Sequence, residues 1–199
     1  MSRSYNEPFP YSLGNKKIGQ NTIIFNMNPA KNCPSKLLGL CKHPKRCYAN
    51  VAERLYPACL PFRLRQELYW DSNSTEAIAN NFLTSLMRHK KVKYIRFSEA
   101  GDFKSQKDVD KFYQIADILY GIKPNITIYG YTSRKDLLYQ TKKNVILAGT
   151  GFTIDNQFTP VDNYGDSKRT GLIHKCANNC KICDFCKKSR GIYIETLYH

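Results

Sequence analysis

The sequence predicts an α/β fold: a partial (β/α) barrel-like parallel sheet followed by a C-terminal cysteine-rich metal-binding segment. Between residues 21 and 148, short β-rich runs alternate with stretches of helical periodicity, the order that arises when crossover helices join parallel strands. Polar residues and cysteines gather where those runs end, which in such folds is the edge that carries chemistry. Beyond the last run, Cys176, Cys180, Cys183 and Cys186 fall within eleven residues.

The first strand is expected over 21–27 (NTIIFNM), a β-branched and aromatic run closed by Asn28-Pro29. Pro34, Gly39 and Pro44 keep regular structure out of the next loop, which carries Cys33, Cys41 and Cys47. Residues 48–56 read as a helix stopped by Pro57, and 62–70 as another; Asp71 and Ser74 then offer caps for a third. That third helix sets Ile78, Phe82 and Leu86 four residues apart, with Ala79, Leu83 and Met87 beside them, giving a broad apolar face. A second strand over 92–98 (VKYIRFS) runs into Glu99-Ala100-Gly101-Asp102. Ser105-x-x-Asp108 has the form of a capping box and opens a helix burying Val109, Phe112, Ala116 and Leu119, with Gly121 at its end. A third strand covers 126–132, a helix is expected from Ser133-x-x-Asp136 to Asn144, and a fourth strand covers 145–148 before Gly149-Thr150-Gly151. After Gly151 the alternation lapses into loop. The expected organisation is therefore a barrel-like unit over 1–165 and a cluster-binding segment over 166–199 packed on it.

A hydrophobic content of 42% in 199 residues is enough for one real core and too much for a disordered chain. No run of about 18 apolar residues exists, which excludes a membrane-spanning helix, and the polar, proline-bearing start lacks the apolar stretch of a secretion signal. A cytoplasmic setting follows as the expectation. The net charge of +15 suits an anionic substrate or a nucleic acid, and also suits simple solubility.

In a reducing compartment, eight cysteines point to metal or redox chemistry before disulfides. Bridging near neighbours at the C-terminal spacing would also strain the backbone. A structural zinc site normally pairs two Cys-x2-Cys knuckles across a longer loop, whereas four ligands in one short run suit a [4Fe-4S] cubane better. Zinc stays as the alternative metal, and His174 stands close enough in sequence to replace one thiol. Cys33-x7-Cys41-x5-Cys47 has no standard spacing, yet all three lie in one interrupted loop just after a strand, where side chains can converge. Cys59, between Pro57 and Pro61, is a fourth ligand, a ligand of the other site, or core.

Glu99 and Asp102 flank Gly101, where the backbone can approach a ligand closely. Two carboxylates at a strand end can hold an amine or a ribose or serve as acid and base; equally, Asp102 can favour the dipole of the following helix. Ser133 reads as a helix N-cap and Arg134 as a solvated first-turn residue. The fourteen tyrosines are core by default, although aromatics among basic residues can stack on nucleobases.

Several short motifs, in order, resemble the radical S-adenosylmethionine (SAM) superfamily, and most of all its small phage-encoded relatives of the gene product eighty-eight family. They are Asn28-Pro29 to Cys33, Gly39-Leu40-Cys41, Cys47-Tyr48-Ala49 leading to Glu53-Arg54, Arg96-Phe97-Ser98-Glu99-Ala100-Gly101-Asp102-Phe103 and Tyr129-Gly130-Tyr131-Thr132-Ser133-Arg134. The similarity spans most of residues 20–190. It implies that Cys33, Cys41 and Cys47 hold a [4Fe-4S] cluster whose open iron binds SAM. It further implies that Glu99, Gly101 and Asp102 stand where a Gly-Gly-Glu-like motif holds the SAM amine, and that Thr132-Ser133 stands where the third strand commonly ends in Thr-Asn-Gly. Cys176, Cys180, Cys183 and Cys186 would then hold an auxiliary cluster. This sequence departs from the pattern in three ways: Cys-x3-Cys-x2-Cys appears at Cys176–Cys183 instead of after the first strand, Gly-Gly-Glu is not literal, and only four strands are clear where a partial barrel of this kind has six.

The expectation is therefore an iron–sulfur protein, fed by a reductant protein and cleaving SAM to begin radical chemistry on an unknown, anionic or nucleic-acid substrate. If phage-encoded, it would work in the host cytoplasm. Two other classes remain: a zinc-stabilised nucleic-acid-binding protein, and an electron-transfer or sensor iron–sulfur protein without SAM chemistry.

Overall fold

The computed structural model describes residues 8–198. Eight strands form one sheet: Ser12–Leu13 (β1), Thr22–Phe25 (β2), Tyr94–Phe97 (β3), Thr127–Thr132 (β4), Val145–Thr150 (β5), Asn156–Val161 (β6), Ile173–Lys175 (β7) and Tyr193–Leu197 (β8). Their order is β1-β2-β3-β4-β5-β6-β8-β7. β1 runs antiparallel to β2, and every other neighbouring pair is parallel. The architecture is thus mixed α/β, with an open and mostly parallel sheet that does not close into a barrel. Because β2 to β8 share one direction, their carboxyl ends share one edge.

Side chains alternate across the strands, giving the sheet two faces. Ile23, Phe25, Ile95, Phe97, Ile128, Val145 and Leu147 turn to the first face. There they meet three helices, Cys59–Ser72 (α3), Thr75–Arg88 (α4) and Gln106–Ile122 (α5), through Trp70, Ile78, Phe82, Val109 and Phe112. Two shorter helices, Pro34–Leu37 (α1) and Tyr48–Leu55 (α2), lie in the loop after β2. Phe97 sits edge-on to Phe112 at 5.0 Å between ring centres. Each such fully buried side chain contributes about 1.5–3 kcal/mol, so this layer carries most of the fold's stability. Ser74 caps α4 by accepting a hydrogen bond from Ala77 N, and Met87 leaves the buried face for solvent.

The second face is covered by the chain's own carboxyl end. Tyr94, Tyr129 and Ile146 pack there with Tyr131, and beside them Ala148, Ile192 and Ile194 close over Cys186. The segment from Cys176 through the short helix Phe185–Lys188 (α6) thereby lies against β3 to β5, and β7 and β8 extend the same sheet.

Four local expectations need correction. No helix forms over 133–144: Arg134 is 4% exposed, and its guanidinium bonds Phe103 O, Lys104 O and the Asp136 carboxylate. Asp136 is therefore drawn to Arg134 and does not cap a helix. Ser105 makes no side-chain cap; Asp108 instead accepts from Lys104 N and from Trp70 Nε1. The chain after Gly151 is not loop throughout, because β6, β7 and β8 lie there. Finally, the parallel pair β5–β6 is joined by residues 151–155 alone. This suffices because β6 begins beside Ala148, so the chain steps back only two residues instead of a whole strand.

Candidate functional site

The carboxyl edge is stitched by side-chain amides. Asn26 Oδ1 accepts from Ala100 N at 2.7 Å; Asn28 accepts from Asp102 N at 3.1 Å and donates to Asp102 O at 2.6 Å. Gly101 has φ +76°, and a Cβ there would fall 2.0 Å from Asn28 Oδ1, so only glycine fits. Ser98, one residue past β3, holds φ +53° with its buried hydroxyl unpartnered among the described residues. A non-glycine residue in this conformation is strained, and such strain concentrates at functional edges.

Asp102 is the hub of this edge. Its carboxylate accepts from Ser35 Oγ (2.5 Å), Thr132 Oγ1 (2.6 Å), Ser133 N (2.8 Å) and Phe103 N (2.9 Å), while only 4% of the residue is exposed. Burial raises its carboxyl above the ordinary range, and the four donors work against that rise. The edge therefore brings Gly101, Asp102, Thr132 and Ser133 together. Glu99 stands apart from this hub: half-buried, it accepts from Asn15 Nδ2 at 2.6 Å, and its backbone carbonyl accepts from the Tyr48 hydroxyl. Of the two carboxylates, Glu99 is the one with acceptor capacity left.

The first cysteine loop crosses this edge from β2 toward β8. Cys33 caps α1, with Lys36 N and Leu37 N donating to its carbonyl, and Cys47 caps α2. Burial, helped by Asp102 and then Cys41, pushes the Cys33 thiol up to about 12. Burial also raises Cys41, with Cys47 and Asp102 adding to the shift. Each of the three cysteines thus lies within electrostatic reach of the next. Farther along, Lys42 lies across Gly151 at the end of β5, leaving no room for a Cβ there. The Arg46 guanidinium sits 4.1 Å from the Tyr198 ring and pairs with Asp162 at 2.8 Å, which fastens the loop beyond β6 and β8. Cys59 opens α3 outside this loop, its thiol raised by burial.

The second cysteine group begins where β7 ends. Asn178 N donates to Cys176 Sγ at 3.4 Å, Cys183 Sγ lies 3.5 Å from His174 Nε2, and Cys186 Sγ lies 3.4 Å from the Tyr131 hydroxyl. Burial raises Cys180 and Cys186, and each lies within electrostatic reach of the other and of Cys176. All eight cysteines are free thiols. Among the described residues no three His, Cys, Asp or Glu side chains are gathered as tightly as one metal ion requires. A cubane spreads its thiolates over separate irons, farther apart than ligands around a single zinc. The donor set itself, unbridged thiols in two loops with a backbone N–H aimed at one sulfur, suits a soft metal or an iron–sulfur cluster.

Sequence reasoning missed what lies between the two groups. On the second face the Arg96 guanidinium packs 5.3 Å from the Tyr131 ring and 6.0 Å from the Tyr129 ring, and donates to the Tyr48 hydroxyl at 3.4 Å. Its Nε has no partner among the described residues. Fully buried Lys187 lies over the Tyr94 ring at 4.2 Å. The available signal was an arginine inside a parallel strand, where both faces are normally apolar.

No helix among the described residues is long and apolar enough to cross a membrane. Neither the curated proteins nor the solved structures contain a match to this chain. The family model described as Gene product 88 matches residues 10–152, which take in the first cysteine loop and the strand ends β2 to β5. By that match, over well more than half its length, the chain belongs to the Gene product 88 family.

Proposed function

We propose that this chain is an iron–sulfur protein of radical SAM-like type. One observation carries the reading: Cys33, Cys41 and Cys47 share a single loop over the carboxyl edge of a parallel sheet, beside Glu99 and the Asp102–Thr132 junction. On this reading those three thiolates hold one [4Fe-4S] cluster, and Cys176, Cys180, Cys183 and Cys186 hold another. When bound with SAM, a cluster of this kind supplies the electron that breaks a carbon–sulfur bond, giving methionine and a 5′-deoxyadenosyl radical.

The protein's own groups have separable tasks. Glu99, with acceptor capacity left, orients the SAM amine. Gly101 lets the backbone come close, and Asp102 holds Thr132 and Ser133 in register. Tyr129 and Tyr131 keep water from the second face. The electron would come from a reductant protein, and the substrate is a separate molecule, for which the charge of +15 favours an anion. The second reading is an electron-transfer or sensor protein; it is favoured by Asp102, whose carboxylate is already occupied by four donors.

Anaerobic purification with iron, sulfide and zinc analysis tests the metal. Stoichiometric zinc without iron or sulfide would overturn the proposal and leave a zinc-stabilised protein whose basic surface meets nucleic acid. Incubation of the iron-loaded chain with dithionite and SAM then separates enzyme from carrier: 5′-deoxyadenosine is the expected product, and its absence favours the carrier.

A further inference from the structure

Among the described residues, two cations on the second face form no ion pair, although Asp184 and Glu99 act on them from farther off. Lys187 is fully buried, yet among the described residues it forms no ion pair. Its ammonium reaches only Cys180 O at 3.3 Å and the faces of Tyr94 and Tyr129 at 4.2 and 5.8 Å. The adjacent Asp184 is taken by Lys188 at 2.5 Å and by the Tyr94 hydroxyl at 3.0 Å. Arg96, half-buried, likewise forms no ion pair with a described carboxylate: Glu99 acts on it only from beyond pairing distance, and Tyr48, Tyr129 and Tyr131 lie around it. Burying a charge without a partner is costly, and proteins almost always supply a counter-charge. Among the cysteines, Cys180 feels both cations, and the Tyr129 ring lies beside both. Arg96 and Lys187 both act on Cys180, and Lys187 also acts on Cys186. The geometry agrees: the Lys187 ammonium donates to Cys180 O at 3.3 Å, and Tyr131, 3.4 Å from Cys186 Sγ, carries the Arg96 guanidinium on its ring.

We propose that Arg96 and Lys187 are built-in counter-cations for an anionic metal–thiolate group held by Cys176, Cys180, Cys183 and Cys186. This rests on the reading that those cysteines hold an iron–sulfur cluster. The two cations stabilise the group's extra electron and thereby raise its reduction potential, and Lys187 is itself relieved of an uncompensated charge when the group forms. Tyr131, stacked under Arg96 and touching Cys186, fixes the geometry between cation and thiolate.

The test uses the full chain reconstituted anaerobically with iron and sulfide. Iron and sulfide per chain are measured first, in the native sequence and in Cys180→Ala, which identifies the C-terminal cluster by its loss. Redox titration of that cluster then compares the native chain with Lys187→Met, Arg96→Gln and Arg96→Lys, each checked for native circular dichroism. Removing either charge is expected to lower the reduced-to-oxidised ratio at a fixed applied potential at least tenfold, about 59 mV for one electron. Arg96→Lys, which keeps the charge, should restore most of it. A native chain without iron and sulfide would overturn the cluster reading and this proposal together. A C-terminal cluster that forms normally and keeps its potential in Lys187→Met and Arg96→Gln would overturn the counter-cation role alone. Because the two cations come from different elements, misfolding of one variant leaves the other to decide.

Discussion

Thr132 donates its hydroxyl to Asp102 Oδ1 at 2.6 Å, and this bond ties the end of β4 to the end of β3. Ser35 and Ser133 N converge on the other oxygen, so one carboxylate joins the cysteine loop to two strand ends. In Asp102→Asn, one amide oxygen can still accept from Thr132, but an NH2 group then faces the Ser133 N–H. Ser35 can turn its hydroxyl away; a backbone N–H cannot turn. The expected loss is about 1–3 kcal/mol, the cost of an unmatched buried donor, seen as a lower urea midpoint at unchanged slope. An unaltered midpoint would mean that the hub is not structural.

Gly101→Ala should be worse than its size suggests. The φ of +76° is strained for any L side chain, and the new methyl would press on both Asn28 Oδ1 and the Asn28 carbonyl, the latter at 2.3 Å. Strain and overlap add, giving a destabilisation of about 3 kcal/mol or more by chemical unfolding. Gly39→Ala is the control: it too has positive φ, 69°, but a Cβ there meets nothing within 4 Å, so it should cost only the backbone term, about 1 kcal/mol.

What the sequence disclosed follows from where apolar and aromatic residues run together. Ile23 to Phe25, Tyr94 to Phe97, Ile128 to Tyr131 and Val145 to Ala148 are short, mostly apolar or aromatic runs, and β2 to β5 are legible from that alone. β6 and β8 are built differently: Asn156, Gln157, Glu195 and Thr196 are all buried polar residues, of which Asn156, Glu195 and Thr196 are satisfied by particular distant loops and Gln157 by nearby threonines. Their pattern has no apolar period. Pro160 is also a residue that strands usually exclude, but it lies past the last β5 residue paired to β6, where its missing N–H costs no ladder bond on that side. The cysteines and carboxylates announced themselves by residue type. Arg96 and Lys187 did not, because only the folding of the carboxyl end onto the second face brings them beside the thiols.

Tyr113 gives a pH-dependent prediction. Its hydroxyl donates to Gln140 O at 2.7 Å and accepts from Gln140 N at 3.0 Å, clamping the irregular 133–144 segment to α5. Burial pushes this phenol up from 10 to about 12. A raised acid favours the protonated fold, so its contribution is whole below pH 10 and is lost as pH rises toward 12. Over that window the native chain should lose up to about 1.4 kcal/mol per pH unit more than Tyr113→Phe, by urea unfolding at successive pH values. Parallel pH profiles for the two proteins would show that the phenol titrates alike in both states.

Cys41→Ala tests whether the proposed metal binding uses one site or two. Cys41 is within electrostatic reach of Cys33 and Cys47, whereas the groups acting on Cys180 and Cys186 include no cysteine of the first loop. The two groups also have separate scaffolds: the first sits over the carboxyl edge, and the second lies on the sheet face under Tyr131 and Lys187. If each scaffold holds its own cluster, Cys41→Ala should retain about half the iron and sulfide of the native chain, and Cys180→Ala the complementary half. The loss should be local, since Cys41 is only half-buried and its removal opens no core cavity. Loss of all iron in either single variant would instead require ligands from both loops on one cluster, with the carboxyl end closing over the edge to deliver them.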